Sequence, residues 1–152
     1  MPTELAYKFR RELSALQTAL QGLPPALADT PWRPGGWTRK QIVGHLLDSS
    51  ANNRQRFARA AIDRYYIGPK YLPESWVSAH GYAAQLWEAL VRWWMVEHEI
   101  LTAVVDQIAE ERLEASCTVG DNEPVTLRFL IEDYLVHQHW HFDQLASGTQ
   151  QP

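Results

Sequence analysis

The chain has a single cysteine, Cys117, among 152 residues. An internal disulfide is thereby excluded, and a lone thiol fits a reducing, cytoplasmic setting. No base is recognisably paired with Cys117, which reads as a small semi-buried side chain rather than a nucleophile. No uninterrupted apolar run approaches the roughly 18 residues that a membrane span needs. The charged, amphipathic opening MPTELAYKFRREL has no signal-peptide core. Excess positive charge is missing too. Fourteen Lys and Arg stand against eighteen Asp and Glu, a net charge of −4, and the cations are scattered. A nucleic-acid partner would ask for a basic stripe, so none is expected. Internal repeats and low-complexity tracts are also absent. What remains is 45% apolar residues with seven Trp, the composition of a folded globular chain, expected as one domain over 1–152.

Proline and glycine cluster at a few points and divide the chain into four amphipathic segments. Residues 3–21 predict a first helix with the stripe Leu5, Phe9, Leu13, Leu16 and Leu20, stopped by Gly22 and Pro24–Pro25. After a turn-rich connection, Thr38 followed by Gln41 forms a capping box, so a second helix starts at Thr38 and runs to about Tyr65. Its inward stripe turns polar for three turns, through Ile42, His45, Ser49, Asn52, Arg56 and Ala60. Apolar flanks (Leu46, Phe57, Ala61) make that stripe the wall of a polar cavity or of a buried polar network. Residues 66–77 read as a long connection over the site, with Tyr71 and Trp76 in it. A third helix is expected from the N-cap Ser78 to about Glu111, with the stripe Tyr82, Leu86, Leu90, Trp93, Glu97, Ile100 or Leu101, Val104 and Ile108. Glu97 would face either the cavity or solvent, and His98 a surface or a place behind a metal ligand. Residues 112–125 suggest a short hairpin or ordered loop.

The last segment, TLRFLIEDYLVHQHWHFDQLA, has helical period from Thr126 to Ser147–Gly148. Leu127, Leu130, Tyr134, His137, His141 and Gln144 share one stripe, flanked by Ile131, Gln138 and Leu145. At about 100° per residue, His137 and His141 lie one turn apart on that face, and His139 points away. Such a pair either hydrogen-bonds within the core or converges on a transition metal. With His45 as a third imidazole, the set would leave coordination positions open, the arrangement of catalytic rather than closed structural sites. The four helices predict an all-α bundle, whose core commonly holds metals on facing helices.

GGWTRKQIVGHLLDSSANNRQRF, followed far downstream by YLVHQHWHFDQL, resembles the DinB/YfiT-like superfamily of metal-dependent enzymes. The likeness covers about Leu13 to Leu145. It implies a four-helix bundle of that type, with His45, His137 and His141 as ligands of a divalent transition metal such as zinc, nickel or manganese. Asp48, Ser49, Asn52 and Arg56 fall on the helix-two pattern, and Tyr71 and Trp76 resemble the family's aromatic loop. Trp140 and Gln144 stand where relatives are often more histidine-rich, though neither is a ligand position. The resemblance implies a bacterial transferase using a low-molecular-weight thiol such as bacillithiol, mycothiol or glutathione, or a hydrolase, acting on a small-molecule substrate. Asp48 would orient an imidazole. Arg56, with Asn52, would bind an anionic thiol cofactor or a substrate carboxylate, unless an acidic residue of a neighbouring helix pairs with it. A homodimer is in keeping with relatives and with the apolar surface that Trp87, Trp93 and Trp94 would offer. From another class comes the alternative of a non-catalytic bundle that binds a ligand or partner, its metal structural or absent.

Overall fold

The computed structural model describes residues 1–148, and within them threonine opens each of three long helices. The Oγ1 atoms of Thr3, Thr38 and Thr126 accept from the backbone N–H groups of Ala6, Gln41 and Phe129 at 3.0–3.2 Å. Each bond satisfies a donor that the first turn leaves orphaned, and loss of such a cap typically costs about 1 kcal/mol. The helices they start are α1 (Glu4–Gln21), α2 (Arg39–Asp63) and α5 (Leu127–Leu145). At Thr38 the box closes from both sides, since the Thr38 N–H donates to Gln41 Oε1 at 3.0 Å. A fourth long helix, α4, spans Trp87–Asp106.

These four make a bundle in which α1 and α2 each touch both α4 and α5. The first two helices are therefore diagonal rather than adjacent. Long connections follow from that arrangement, because the chain must cross the end of the bundle between them. The expected stripe of α1 is buried throughout, and Phe9, Phe57, Trp94, Leu135 and Ile131 form the centre of the core. Each such side chain contributes about 2 kcal/mol by leaving water. Among the described residues no helix is long and apolar enough to cross a membrane.

Three expectations need correction. The segment read as a long connection contains a strand, β1 (Tyr65–Gly68), and a helix, α3 (Pro73–His80). Pro73 stands at the first helical turn, where its missing N–H costs nothing, so it starts a helix rather than breaking one. Ser78 accordingly lies inside α3 and caps nothing. β1 pairs in parallel with β2 (Ser116–Val119), which pairs antiparallel with β3 (Val125–Thr126). The hairpin expected over 112–125 is present, but as part of a three-stranded sheet.

The second correction concerns the phase of the third long helix. Gly81, with φ of 60°, ends α3 in the left-handed region, and a 3-10 turn at Tyr82–Ala84 follows. Carrying the helical period from Tyr82 across that break puts Leu86, Trp93, Glu97 and Val104 one position before the residues that are buried, while Leu90, Leu101 and Ile108 are buried as expected. The buried stripe is Trp87, Leu90, Trp94, His98, Leu101 and Val105, while Leu86, Trp93 and Ile100 are exposed. The helix also ends at Asp106, short of Glu111. Of the three tryptophans expected at the surface, only Trp93 reaches it.

The third follows from the second. His98 is at neither a surface nor a metal ligand, being buried with 2% exposure. A carbonyl only accepts, so the 2.8 Å contact with Trp94 O places the proton on Nδ1 of His98. Nε2 then accepts from the Tyr134 hydroxyl at 2.6 Å. Burial holds this imidazole down at about 4, well below its ordinary value. Glu97 meets neither cavity nor open solvent. It accepts from Ser50 Oγ at 3.0 Å and Arg54 Nε at 3.1 Å, joining α4 to α2.

Candidate metal centre

Whether His45 can meet the α5 pair depends on the relative heights of two helices, and Arg39 sets them. This buried guanidinium sits at the first residue of α2 and donates to four backbone carbonyls. Pro31 O is 2.8 Å away and Thr30 O 3.2 Å, both in the preceding turn. Leu145 O at 3.3 Å and Ser147 O belong to the last turn of α5 and its exit. A cation is well placed there, since the final carbonyls of a helix lack intrahelical partners and carry partial negative charge. The start of α2 is thereby pinned to the end of α5. His45 lies six residues into α2 and His141 four residues before Leu145, which brings the imidazoles level.

His45, His137 and His141 come together as a cluster whose ligating atoms all lie within 4.8 Å of one another. Nε2 of His45 is 3.1 Å from Nε2 of His137, and the three ring centroids are 4.6–5.0 Å apart. Imidazole nitrogens about 2.0–2.1 Å from a tetrahedral ion stand roughly 3.3 Å from one another, so the donor atoms are near ligating positions. Burial pulls all three basicities down, and together with repulsion among the rings it holds His45 at about 3 and His137 at about 4. The rings are therefore neutral at physiological pH, the form that binds metal. His139, between them, is exposed and meets Glu12 at 2.8 Å on the opposite face.

Gln144, on the same face of α5, adds a feature that the sequence pattern did not single out. Its Oε1 lies 2.8 Å from Nδ1 of His141. With the proton of His141 held on Nδ1, Nε2 is bare toward the cluster, the device by which proteins orient ligating imidazoles. The spacing of three residues on one helix is the signal that could have revealed it. On the other side of the cluster, Trp37 packs against His45 at 5.0 Å and Trp140 against His141 at 4.9 Å.

His45 and His141 are buried, whereas His137 is half-buried at the edge of a cavity of about 280 Å³. Ser49, Asn53 and Arg56 of α2 form one wall, Val119 and Val125 with Cys117 the sheet side, and Tyr71 a cover. Tyr71 belongs to the segment expected over the site, and its hydroxyl is in hydrogen-bonding contact with Ser49. Trp76 stands behind it at 5.4 Å between ring centroids, away from the lining. Cys117 is fully buried, and burial pushes its thiol up to about 11, which keeps it protonated.

The remaining candidates are placed as follows. Asp48, 2% exposed, turns toward α3 and the 3-10 turn after it, where its Oδ1 accepts from the Tyr82 hydroxyl at 2.6 Å with His80 Nδ1 3.4 Å away. Tyr82 fits there because residue 44 is glycine. A Cβ on Gly44 would fall 2.1 Å from its ring. Oδ2 of Asp48 and Nδ1 of His45 are both buried, and among the described residues neither has a hydrogen-bond partner. Burial raises the Asp48 carboxyl, against the lowering effect of Tyr82 and His80. Asn52 donates its amide back to Asp48 O at 2.9 Å, so Asn53 rather than Asn52 lines the cavity. Arg56 lines it as well.

The DinB superfamily profile matches residues 8–145. "Putative metal-dependent hydrolase YfiT" of Bacillus subtilis (strain 168) is 27% identical over 141 residues, covering 87% of this chain and 75% of that protein. A "Putative metal-dependent hydrolase" of Bacillus cereus (strain 03BB102) is 38% identical over 61 residues, 40% of this chain and 35% of that one. In structure, YfiT superposes with a TM-score of 0.84 at 22% identity, over 100% of this chain and 91% of that chain, and is described as having an unusual four-helix bundle topology. The mycothiol-dependent maleylpyruvate isomerase gives 0.77 at 13% identity, over 95% of this chain and 60% of that one. At such identities the two structures establish the fold.

Proposed function

We propose, since this chain belongs to the DinB superfamily and three neutral imidazoles converge beside an open cavity, that it is a metal-dependent enzyme acting on a small molecule. The observation that carries this reading is the 3.1 Å approach of the His45 and His137 Nε2 atoms across two helices. His45, His137 and His141 hold the ion. Three imidazole donors suit zinc or nickel better than manganese, which prefers oxygen. A bound divalent ion would supply Lewis acidity, enough to activate water or to hold a thiol as its thiolate.

The protein's own groups divide the remaining work. Gln144 keeps the His141 proton on Nδ1. Asp48 is assigned as a positioning residue for His45, because the two orphaned atoms Oδ2 and Nδ1 leave complementary groups one turn apart on α2. Ser49 and Tyr71 offer hydroxyls at the cavity wall, and the polar contact expected of Asn52 passes to Asn53. Val119 and Val125 from the sheet and Phe129 and Leu130 from α5 supply the apolar part of the wall.

Transfer to or from a low-molecular-weight thiol is placed ahead of hydrolysis. The fold shared with a mycothiol-dependent isomerase supports it, as does a cavity that opens at the half-buried His137. Hydrolysis is the second reading, favoured by the names of the Bacillus relatives. The test is turnover of an electrophile panel by zinc- or nickel-loaded protein, with and without bacillithiol, mycothiol or glutathione. Thiol-dependent consumption with a thioether or isomerised product is expected. Consumption that needs water but no thiol would transfer the assignment to hydrolysis.

A further inference from the structure

Beyond the histidines, the cavity contains a charge that no ion pair among the described residues neutralises. Arg56 is 8% exposed. Its guanidinium donates to Asn53 Oδ1 at 3.4 Å and to Pro69 O at 3.2 Å, both neutral, and stands 5.9 Å from the centre of the Tyr71 ring. Among the described residues no carboxylate forms an ion pair with it. Glu123 and Asp133 line the same cavity, but both are exposed.

A buried cation without a counter-charge is costly, and removing the partner of a buried ion pair is strongly destabilising for the same reason. Arg54, two residues earlier, shows the ordinary solution, pairing with Glu97 at 3.1 Å. Arg56 has no such partner, yet it lines a cavity large enough for a small molecule. A guanidinium has five N–H donors in a planar fork, and two bonds to neutral oxygens leave most of it available. The groups that match the fork are planar anions, above all carboxylates.

We propose that Arg56, framed by Asn53 and Tyr71, binds the carboxylate of the molecule whose reactive end meets the metal. Ser49, Asn53 and Arg56 follow one another at four and three residues along one face of α2, with His45 one turn beyond. Eleven residues at about 1.5 Å each separate the Cα atoms of His45 and Arg56 by about 16 Å, shortened by the length of the arginine side chain. The ligand is therefore an elongated organic acid, reactive at one end and anionic at the other. Only its reactive end rests on the metal reading. The carboxylate belongs either to the thiol co-substrate or to the second substrate, and the chemistry that Arg56 recognises is the same.

Calorimetric titration of the zinc-loaded protein with 6-mercaptohexanoate and with 6-mercaptohexanol tests the proposal. The acid should bind at least about tenfold more tightly, the worth of one charge-assisted hydrogen bond. In Arg56→Gln the preference should vanish while zinc content and affinity for the alcohol persist. Equal affinities in the native protein would overturn the proposal even if Arg56→Gln failed to fold, and so would a preference that survives the substitution. Hexanoate, which lacks the thiol, separates the sources. Arg56-dependent binding of hexanoate assigns the carboxylate to a non-thiol substrate, and binding of the thiol acid alone assigns it to the thiol; both uphold the site. If the protein holds no metal but hexanoate still binds through Arg56, the anion site stands and the metal reading falls.

Discussion

At the scale of single residues, the site depends on which nitrogen carries each proton. Gln144 settles this for His141 through one contact of 2.8 Å. Gln144→Ala should lower zinc affinity by about 10- to 100-fold, the usual effect of removing a group that orients a ligand. Competition against a chromophoric chelator reads the change, and an unaltered affinity would remove Gln144 from the account. His98 makes the opposite use of burial. It is held neutral with a folded value of about 4, against 6.5 in the open chain. Above about pH 6.5 neither state binds the proton. Between 6.5 and 4 the unfolded chain takes it up and the folded protein does not, so stability falls as pH falls, by on the order of 3 kcal/mol in all. The metal-free histidines add to the loss with the same sign. Urea unfolding at several pH values should therefore show a shallower decline for His98→Gln than for the native chain.

At the scale of elements, the sequence was most legible where one unbroken period could be followed. The stripe of α5 and the capping box of α2 place His45, His137 and His141 on inward faces, and the structure has them there. Legibility failed where a break reset the period. Gly81 and the 3-10 turn after it reset the phase of α4, which puts His98 in the core rather than at a surface or behind a metal ligand and brings Trp93 out. Short strands of two to four residues carry too little alternation to be found singly, so β1 looked like part of a connection. The heights of α2 and α5 were not legible either, because Arg39 reads as an ordinary first-turn residue until its carbonyl partners are known. Arg39→Met should leave the buried carbonyl of Leu145 unsatisfied and take a donor from those of Pro31 and Ser147, whereas Thr30 O keeps the backbone N–H of residue 39. The expected cost is roughly 3 kcal/mol in unfolding free energy, with weaker metal binding as the end of α5 loosens. Thermal and urea unfolding measure the first effect, and metal titration the second.

At the scale of the whole molecule, the diagonal placement of α1 and α2 lets α2 and α5 lie side by side although more than sixty residues separate them. The small sheet joins the segment after α2 to the segment before α5, and its hairpin forms one side of the cavity. Two helices supply the ligands, the sheet and Tyr71 enclose the space beside them, and α4 keeps its own histidine out of the site. The central claim is that one metal ion is shared between α2 and α5. Metal content by mass spectrometry on protein purified without an affinity tag tests it directly, beside His45→Ala and His137→Ala. The account predicts near-stoichiometric zinc or nickel in the native chain and its loss in both variants, each of which stays folded. A native chain that holds no metal after incubation with zinc, nickel and manganese would contradict it and leave three core histidines in a ligand-binding bundle.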